Sequence, residues 1–132
     1  GKIEVRSAKP GETLVTLDGT ERRLEDDDLV VADEGGAIAL AGVMGGRDSE
    51  VTSATRNVLI ESAIFDPSRV RRTARRHGIA SDASYRFERG VDRSGSARGA
   101  DRATNRATRT YVKLERGKCS FTLTRITQFL IC

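Results

Sequence analysis

One carboxylate stands inside an apolar run: Glu61 in NVLIESAIF, Asn57 to Phe65. A carboxylate where a strand would place a core residue must find partners or bear a heavy desolvation cost. It either closes a structural salt bridge with an arginine, the commoner fate of a buried acid, or faces a ligand that carries a donor. A second signal is the trio Gly42, Gly45 and Gly46 at the end of IALAGVMGG, Ile38 to Gly46. Glycine lets a backbone approach a ligand closely and take angles closed to other residues, so this strand end could cradle a bound group. A bulge or turn is the commoner reading, and no phosphate-loop signature accompanies these glycines.

Five arginines fall between Arg69 and Arg76. Arg71, Arg72, Arg75 and Arg76 could meet the phosphates of a nucleic acid, each neutralised phosphate adding salt-dependent affinity without sequence readout. A solvated or ion-paired face is the commoner outcome for such a run. His77, the only histidine, follows the run and reads as a helix cap. Ser62, Ser81 and Ser84 have no recognisable base partner, and the body of the chain holds no cysteine, so no nucleophile is evident. Any hydrolysis here would use a positioned water.

These residues need elements to hold them. Ile3 and Val5 alternate with polar neighbours, Pro10-Gly11 breaks the run, and Thr13 to Leu17 leads to Asp18-Gly19, a type I′ hairpin signal pairing Leu14 to Leu17 with Thr20 to Leu24. Leu29 to Ala32 and Ala37 to Val43 are nearly continuous apolar runs, as expected of strands covered on both faces. Asn57 to Phe65 reads as a further strand. Asp66-Pro67 opens a helix, with aspartate accepting from exposed N–H groups and proline at the first helical position, and Gly78 closes it. Val70, Ala74 and His77 share its packing face, leaving the arginines on a cationic side. Ser81-Asp82 starts a second, two-turn helix that Gly90 stops; Ser81 and Asp82 both read as caps. Ala97, Ala100, Ala103, Ala107 and Tyr111 trace a helical stripe that Gly95 and Gly99 weaken, and Lys113 to Cys132 turns β-prone and basic.

At 132 residues the chain has the size of one ordinary domain. Apolar residues make up 37%, aromatic residues 5%, and tryptophan is absent, so the core must rest on Val, Leu, Ile and Ala, with Phe65 and Phe87 as its bulkier members. The net charge of +4 is segregated: Glu25 to Asp28 is an acidic run and Arg69 to Arg76 a basic one. Cys119 and Cys132 offer neither a disulfide framework nor metal-ligand spacing, which fits a reducing cytoplasm. No apolar run reaches membrane-spanning length and no leader is present, so no membrane partner is expected.

Three segments, IALAGVMGG, NVLIESAIFDPSRVRRTARRHG (Asn57 to Gly78) and SDASYRFERGVD (Ser81 to Asp92), together resemble the editing domain in the beta subunit of bacterial phenylalanyl-tRNA synthetases. The similarity includes KIEVRSAKPGETLVTLDG near the N-terminus and covers about the first ninety residues. It implies that Gly45, Glu61, Ser81 and Ala83 line a pocket for mischarged Tyr-tRNA. There the Glu61 carboxylate would accept from the tyrosine hydroxyl, and Ser81 and Ala83 would leave room for substrate and water. It also implies that a pocket histidine comes from a segment upstream of Gly1.

The fold class expected is mixed α/β (α+β), a central and largely antiparallel sheet with helices packed on it. Residues 1–92 are read as part of the editing domain, and 93–132 as a divergent or truncated C-terminal segment. The resemblance implies a ligase attaching phenylalanine to its tRNA, with two alpha and two beta subunits, this segment removing tyrosine added in error. Partners would be tRNA and the alpha subunit; ATP and magnesium would serve the full synthetase, and no cofactor this segment. The alternatives are a free-standing aminoacyl-tRNA deacylase or tRNA-binding module, and an inactive fragment of the domain.

Overall fold

The computed structural model describes residues 2–56 and 59–90, together with strands within 111–114, 120–122 and 129–131. At 59, 60, 62 and in the three late strands only the backbone is described. The described strands are β1 Lys2–Ser7, β2 Thr13–Val15, β3 Glu21–Arg23, β4 Leu29–Ala32, β5 Ala37–Leu40, β6 Met44–Gly45, β7 Leu59–Ala63, β8 Tyr111–Leu114, β9 Ser120–Thr122 and β10 Phe129–Ile131. Among the described residues a single 3-10 turn spans Arg47–Ser49, and two α-helices follow, α1 Pro67–Arg76 and α2 Asp82–Phe87.

The main sheet runs β6-β5-β4-β1-β9 with every pairing antiparallel. Its middle strand, β4, is LVVA, and all four of its residues are buried. That is the continuous apolar run expected of a strand covered on both faces. The α+β class anticipated from the sequence is thus present, with α1 and α2 supplying the helices. The core joins Val30, Val31 and Leu40 of the sheet to Val70 and Ala74 of α1 and to Phe65 and Phe87. The two rings lie 5.1 Å apart at 55°, a tilted contact that suits aromatic quadrupoles. Glu12 fastens the edge: it accepts from Arg6 at 2.6 and 2.8 Å and from the backbone N–H groups of Lys9 and Ala37. Arg6 beside it, with those N–H groups, holds its carboxyl at about 2 despite partial burial.

Two local expectations change. The hairpin pairs Leu14 with Arg22, and Thr16 N–H donates to Thr20 O, leaving the three-residue loop 17–19. A two-residue Asp18-Gly19 turn would have shifted this register by one. The longer loop is braced by Asp18, whose side chain accepts from Thr20 N and from the Thr16 hydroxyl at 2.6 Å. The apolar run from Ala37 to Val43 is not one strand either. It breaks after Leu40 because Gly42 takes a φ of +70° and lies against other elements: a Cβ there would meet Phe65 Cδ2 at 2.9 Å and Val70 Cγ2 at 3.1 Å.

A second sheet, β10-β7-β8, is parallel and carries Glu61 at the centre of its middle strand. The described strand that houses this residue is Leu59–Ala63; it ends before Phe65, and positions 57 and 58 of the expected run lie outside the described residues. The β-prone character of the tail appears as β9, which pairs with β1, and as β10 beside β7. Tyr111 stands in β8, not in a helical stripe; the rest of that stripe, 97–107, lies outside the described residues.

Candidate functional site

Glu61 has both strand neighbours paired, Val112 of β8 on one side and Ile131 of β10 on the other. Its residue surface is only 5% exposed, and among the described residues neither carboxylate oxygen has a hydrogen-bond partner. Burial pushes the carboxyl up to about 7, because charge is poorly solvated in an apolar interior. The structural salt bridge that most buried acids make is absent among the described residues. What remains is an acceptor, interchangeably carboxylate and carboxylic acid near neutral pH, without a protein donor among them.

The other predicted pocket residues gather at one end of the main sheet. Ser81 caps α2: its Oγ accepts from Ser84 N at 3.0 Å, and Ser84 Oγ accepts from Ser81 N at 3.1 Å, a reciprocal capping box. The same Ser81 hydroxyl donates to Val43 O in a short hydrogen bond. This ties the start of α2 to the turn between β5 and β6, two residues before Gly45. Ala83, in the first turn of α2, packs partly buried against the core. Gly45 pairs with Ala39, and its carbonyl accepts from Leu17 N–H at 3.0 Å.

The neighbouring glycines have packing reasons. Gly42 fills the left-handed turn already described. Gly46 donates to Ile38 O at 2.8 Å, and a Cβ on it would fall 2.5 Å from that oxygen. No hydrogen bond joins Glu61 to Gly45, Ser81 or Ala83 among the described residues. The link between them is the run-out of β7: Ala63 and Phe65 enter the same core, and Phe65 touches both the Gly42 turn and Phe87 of α2.

The basic helix divides by face. Asp66 caps α1 by accepting from Ser68 N and Arg69 N. Arg69, Arg72 and Arg76 turn toward the acidic run: Arg72 Nε lies 2.8 Å from Asp27 Oδ2, and Arg76 pairs with Asp28. Signs segregated along the chain are thus joined in space, and half of the expected cationic side is neutralised. Arg71 donates to the Glu88 carbonyl at 3.2 Å; Arg75 is exposed, with no carboxylate partner among the described residues.

Asp28 is a residue that composition and spacing did not single out. It has no exposed surface, and accepts from Glu25 N at 2.9 Å, Thr73 Oγ1 at 3.0 Å and Arg76, with His77 Nε2 2.7 Å away. Burial alone pushes its carboxyl up; the Glu25 N–H, His77 and Thr73 outweigh this and hold it below the usual range. His77 does cap α1, as expected, but its ring turns inward to Asp28 while its carbonyl accepts from Arg22. The only available signal was the acidic run five elements ahead of the helix that the only histidine caps, and no local pattern connects them.

The described helices include none long and apolar enough to cross a membrane. A family model described as the B3/4 domain matches residues 1–110, running past residue 92. The phenylalanine–tRNA ligase beta subunit of Anaeromyxobacter dehalogenans is 63% identical over 91 residues, 69% of this chain and 11% of that protein. The beta subunit of Moorella thermoacetica is 57% identical over 102 residues, covering 77% of the chain and 13% of its own length. That of Streptomyces avermitilis is 53% identical over 108 residues, 80% and 13% respectively. The chain thus spans little more than a tenth of the curated relatives it matches.

Proposed function

We propose a function from one premise, that this chain belongs to the B3/4 domain family: it is part of a phenylalanine–tRNA ligase beta subunit and removes tyrosine mistakenly attached to the phenylalanine tRNA. The observation that carries the reading is Glu61, a buried carboxyl whose two oxygens have no donor among the described residues. A tyrosyl group brings one phenolic O–H; a phenylalanyl group of nearly the same shape brings none. Binding tyrosine satisfies the acceptor, whereas binding phenylalanine leaves it desolvated and unpaired, a difference of about 1 to 3 kcal/mol or more. Discrimination of this kind works by polarity, so it can correct a synthetic site that sorts the two side chains by size.

Gly45, Ser81 and Ala83 would form the opposite wall, where the backbone of β6 and the small side chains of α2 leave space for the ester and a water. The Ser81 hydroxyl is already committed to Val43 O and to Ser84 N, which argues for a wall and against a nucleophile. Water is then the attacking group. In the same reading the whole ligase acts in the cytoplasm as two alpha and two beta subunits. ATP and magnesium serve the synthetic reaction in the alpha subunit, and Arg71 and Arg75 contact tRNA, with Arg72 and Arg76 bound mainly to Asp27 and Asp28.

The test is deacylation of Tyr-tRNA and Phe-tRNA by the chain and by its Glu61→Gln variant. Tyrosine-selective hydrolysis that drops about tenfold or more in selectivity with Glu61→Gln is expected. Equal rates on the two substrates with the wild-type chain would remove the reading.

A further inference from the structure

Tyr85 is the most exposed large hydrophobic side chain among the described residues, at 55%. It sits on α2, one turn beyond the Ser81 cap, and Arg89 Cζ lies over its ring, 3.8 Å from the centroid. A guanidinium held over an exposed phenol is a pre-ordered cation–π pair: it has spent part of its side-chain entropy, yet both residues remain exposed to solvent. Beside it, Arg71 reaches from α1 to the Glu88 carbonyl at 3.2 Å, and Arg75 follows one turn later on the same face. Residues 66–90 hold seven arginines against three carboxylates. The arginines on the other face of α1 are neutralised by Asp27 and Asp28, whereas Arg71, Arg75 and Arg89 have no carboxylate partner among the described residues.

We propose that the corner of α1 and α2 formed by Tyr85, Arg89, Arg71 and Arg75 binds the single-stranded end of an RNA, stacking one base on the Tyr85–Arg89 pair and setting adjacent phosphates on Arg71 and Arg75. The proposal rests on the functional reading above and specifies which residues position the RNA that carries the ester. Stacking explains an aromatic ring left in water next to a cation, because every base offers a flat face. The unpaired charges explain why the strand would lie on this side of α1 and not on the Asp27 side. A folded protein partner would be recognised instead by an apolar surface around the tyrosine, and the side chains beside it are charged.

The probe is a fluorescein-labelled single-stranded RNA of about eight nucleotides, titrated by anisotropy with the full 132-residue chain at several salt concentrations. Tyr85→Ala is expected to weaken binding at least fivefold and Tyr85→Phe to preserve it. The double variant Arg71→Gln/Arg75→Gln should reduce the salt slope by about 1.4, at roughly 0.7 for each single-strand phosphate contact. Arg72→Gln, on the face of α1 that Asp27 neutralises, should leave the slope unchanged. With no tryptophan and only Tyr85 and Tyr111 in the chain, RNA should quench the tyrosine emission of wild type more than that of Tyr85→Phe. Wild-type affinity in a folded Tyr85→Ala variant would overturn the proposal, as would equally tight binding of an abasic strand. So would self-association through Tyr85 in place of RNA binding. RNA binding that depends on Tyr85 without tyrosine-selective hydrolysis supports this proposal and removes the hydrolytic reading; selective hydrolysis without that dependence does the reverse.

Discussion

His77 Nε2 lies 2.7 Å from Asp28 Oδ2, so the end of α1 is fastened to the residue that enters the central strand of the sheet. Thr73 and Arg76 share the same carboxylate, and two residues of α1 and its cap therefore converge on a single buried acid. Replacing Asp28 with alanine strands the Thr73 hydroxyl and the Glu25 N–H and removes one carboxylate partner of Arg76. The Arg76 side chain is 33% exposed and still faces Asp27, so the cost comes mainly from the stranded Thr73 hydroxyl and Glu25 N–H, at about 1 to 3 kcal/mol. Asp28→Ala should lower the denaturant midpoint by more than His77→Ala does, since the latter removes one partner and leaves the others. Because the Asp28 carboxyl is held below its usual value, its contribution is present at neutral pH and lost as the solution is acidified below the ordinary aspartate range.

Glu61 has the opposite linkage. Below about pH 4.5, the ordinary value, its carboxyl is protonated in the folded and unfolded chain alike and costs nothing electrostatically. Between there and about 7, the unfolded chain ionises while the folded chain keeps the proton, so folding stability falls as pH rises. Above about 7 the decrease is complete, and is on the order of 3 kcal/mol. Urea titrations across this range should show the decline in the wild-type chain and a flatter curve for Glu61→Gln. An identical pH profile in the variant would mean that Glu61 is solvated.

The same titration bears on selectivity. A carboxylate left without a donor is costlier than a carboxylic acid, so the penalty for holding phenylalanine grows as Glu61 ionises. The ratio of Tyr-tRNA to Phe-tRNA deacylation should therefore rise between about pH 6 and 8 around the Glu61 value. Taking the ratio cancels the general acceleration of ester hydrolysis by base, and Glu61→Gln should abolish the trend.

Gly42 and Gly78 both have positive φ, +70° and +63°, but their surroundings differ. A methyl at Gly78 meets nothing within 4 Å, whereas one at Gly42 strikes Phe65 and Val70. Gly78→Ala should cost about 1 kcal/mol, the strain of the backbone alone. Gly42→Ala adds overpacking at the junction of the β5–β6 turn with α1 and α2, for a total of about 3 kcal/mol or more. Thermal melts of the two variants side by side separate conformation from contact.

Ser81 joins two functions in one hydroxyl, capping α2 and holding the Val43 carbonyl. Ser81→Ala should destabilise by about 1 to 2 kcal/mol, while Ser81→Thr retains both hydrogen bonds and most of the stability. If the pocket wall depends on this tie, the alanine variant loses Tyr-tRNA hydrolysis at temperatures where it is still folded, and the threonine variant does not.

Local chemistry made much of this legible in the residues themselves. Asp66-Pro67 and Gly78 bound a helix through a cap, a pre-set φ and a left-handed stop, all settled within a few residues. Ser81 and Gly90 frame α2 by the same means, and LVVA announces a strand covered on both sides. Glu61 was conspicuous because a carboxylate in an apolar run violates its neighbours' pattern. The three-residue loop at 17–19 was not legible, since Asp-Gly suits more than one turn and the bracing by Asp18 decides among them. The break at Gly42 depends on Phe65, Val70 and Phe87, residues far along the chain.

By itself, then, the sequence determined where helices start and stop, which runs form covered strands, and which acid is out of place, because caps, turns and hydrophobic runs act over short distances. Tertiary structure alone decided that Asp27 and Asp28 neutralise one face of the arginine helix and leave Arg71, Arg75 and Arg89 unpaired by acids among the described residues. It alone closed the Asp28 network and kept described donors from Glu61. Charge pairing and burial depend on distances in space, and a linear pattern carries no measure of which distant side chains will meet.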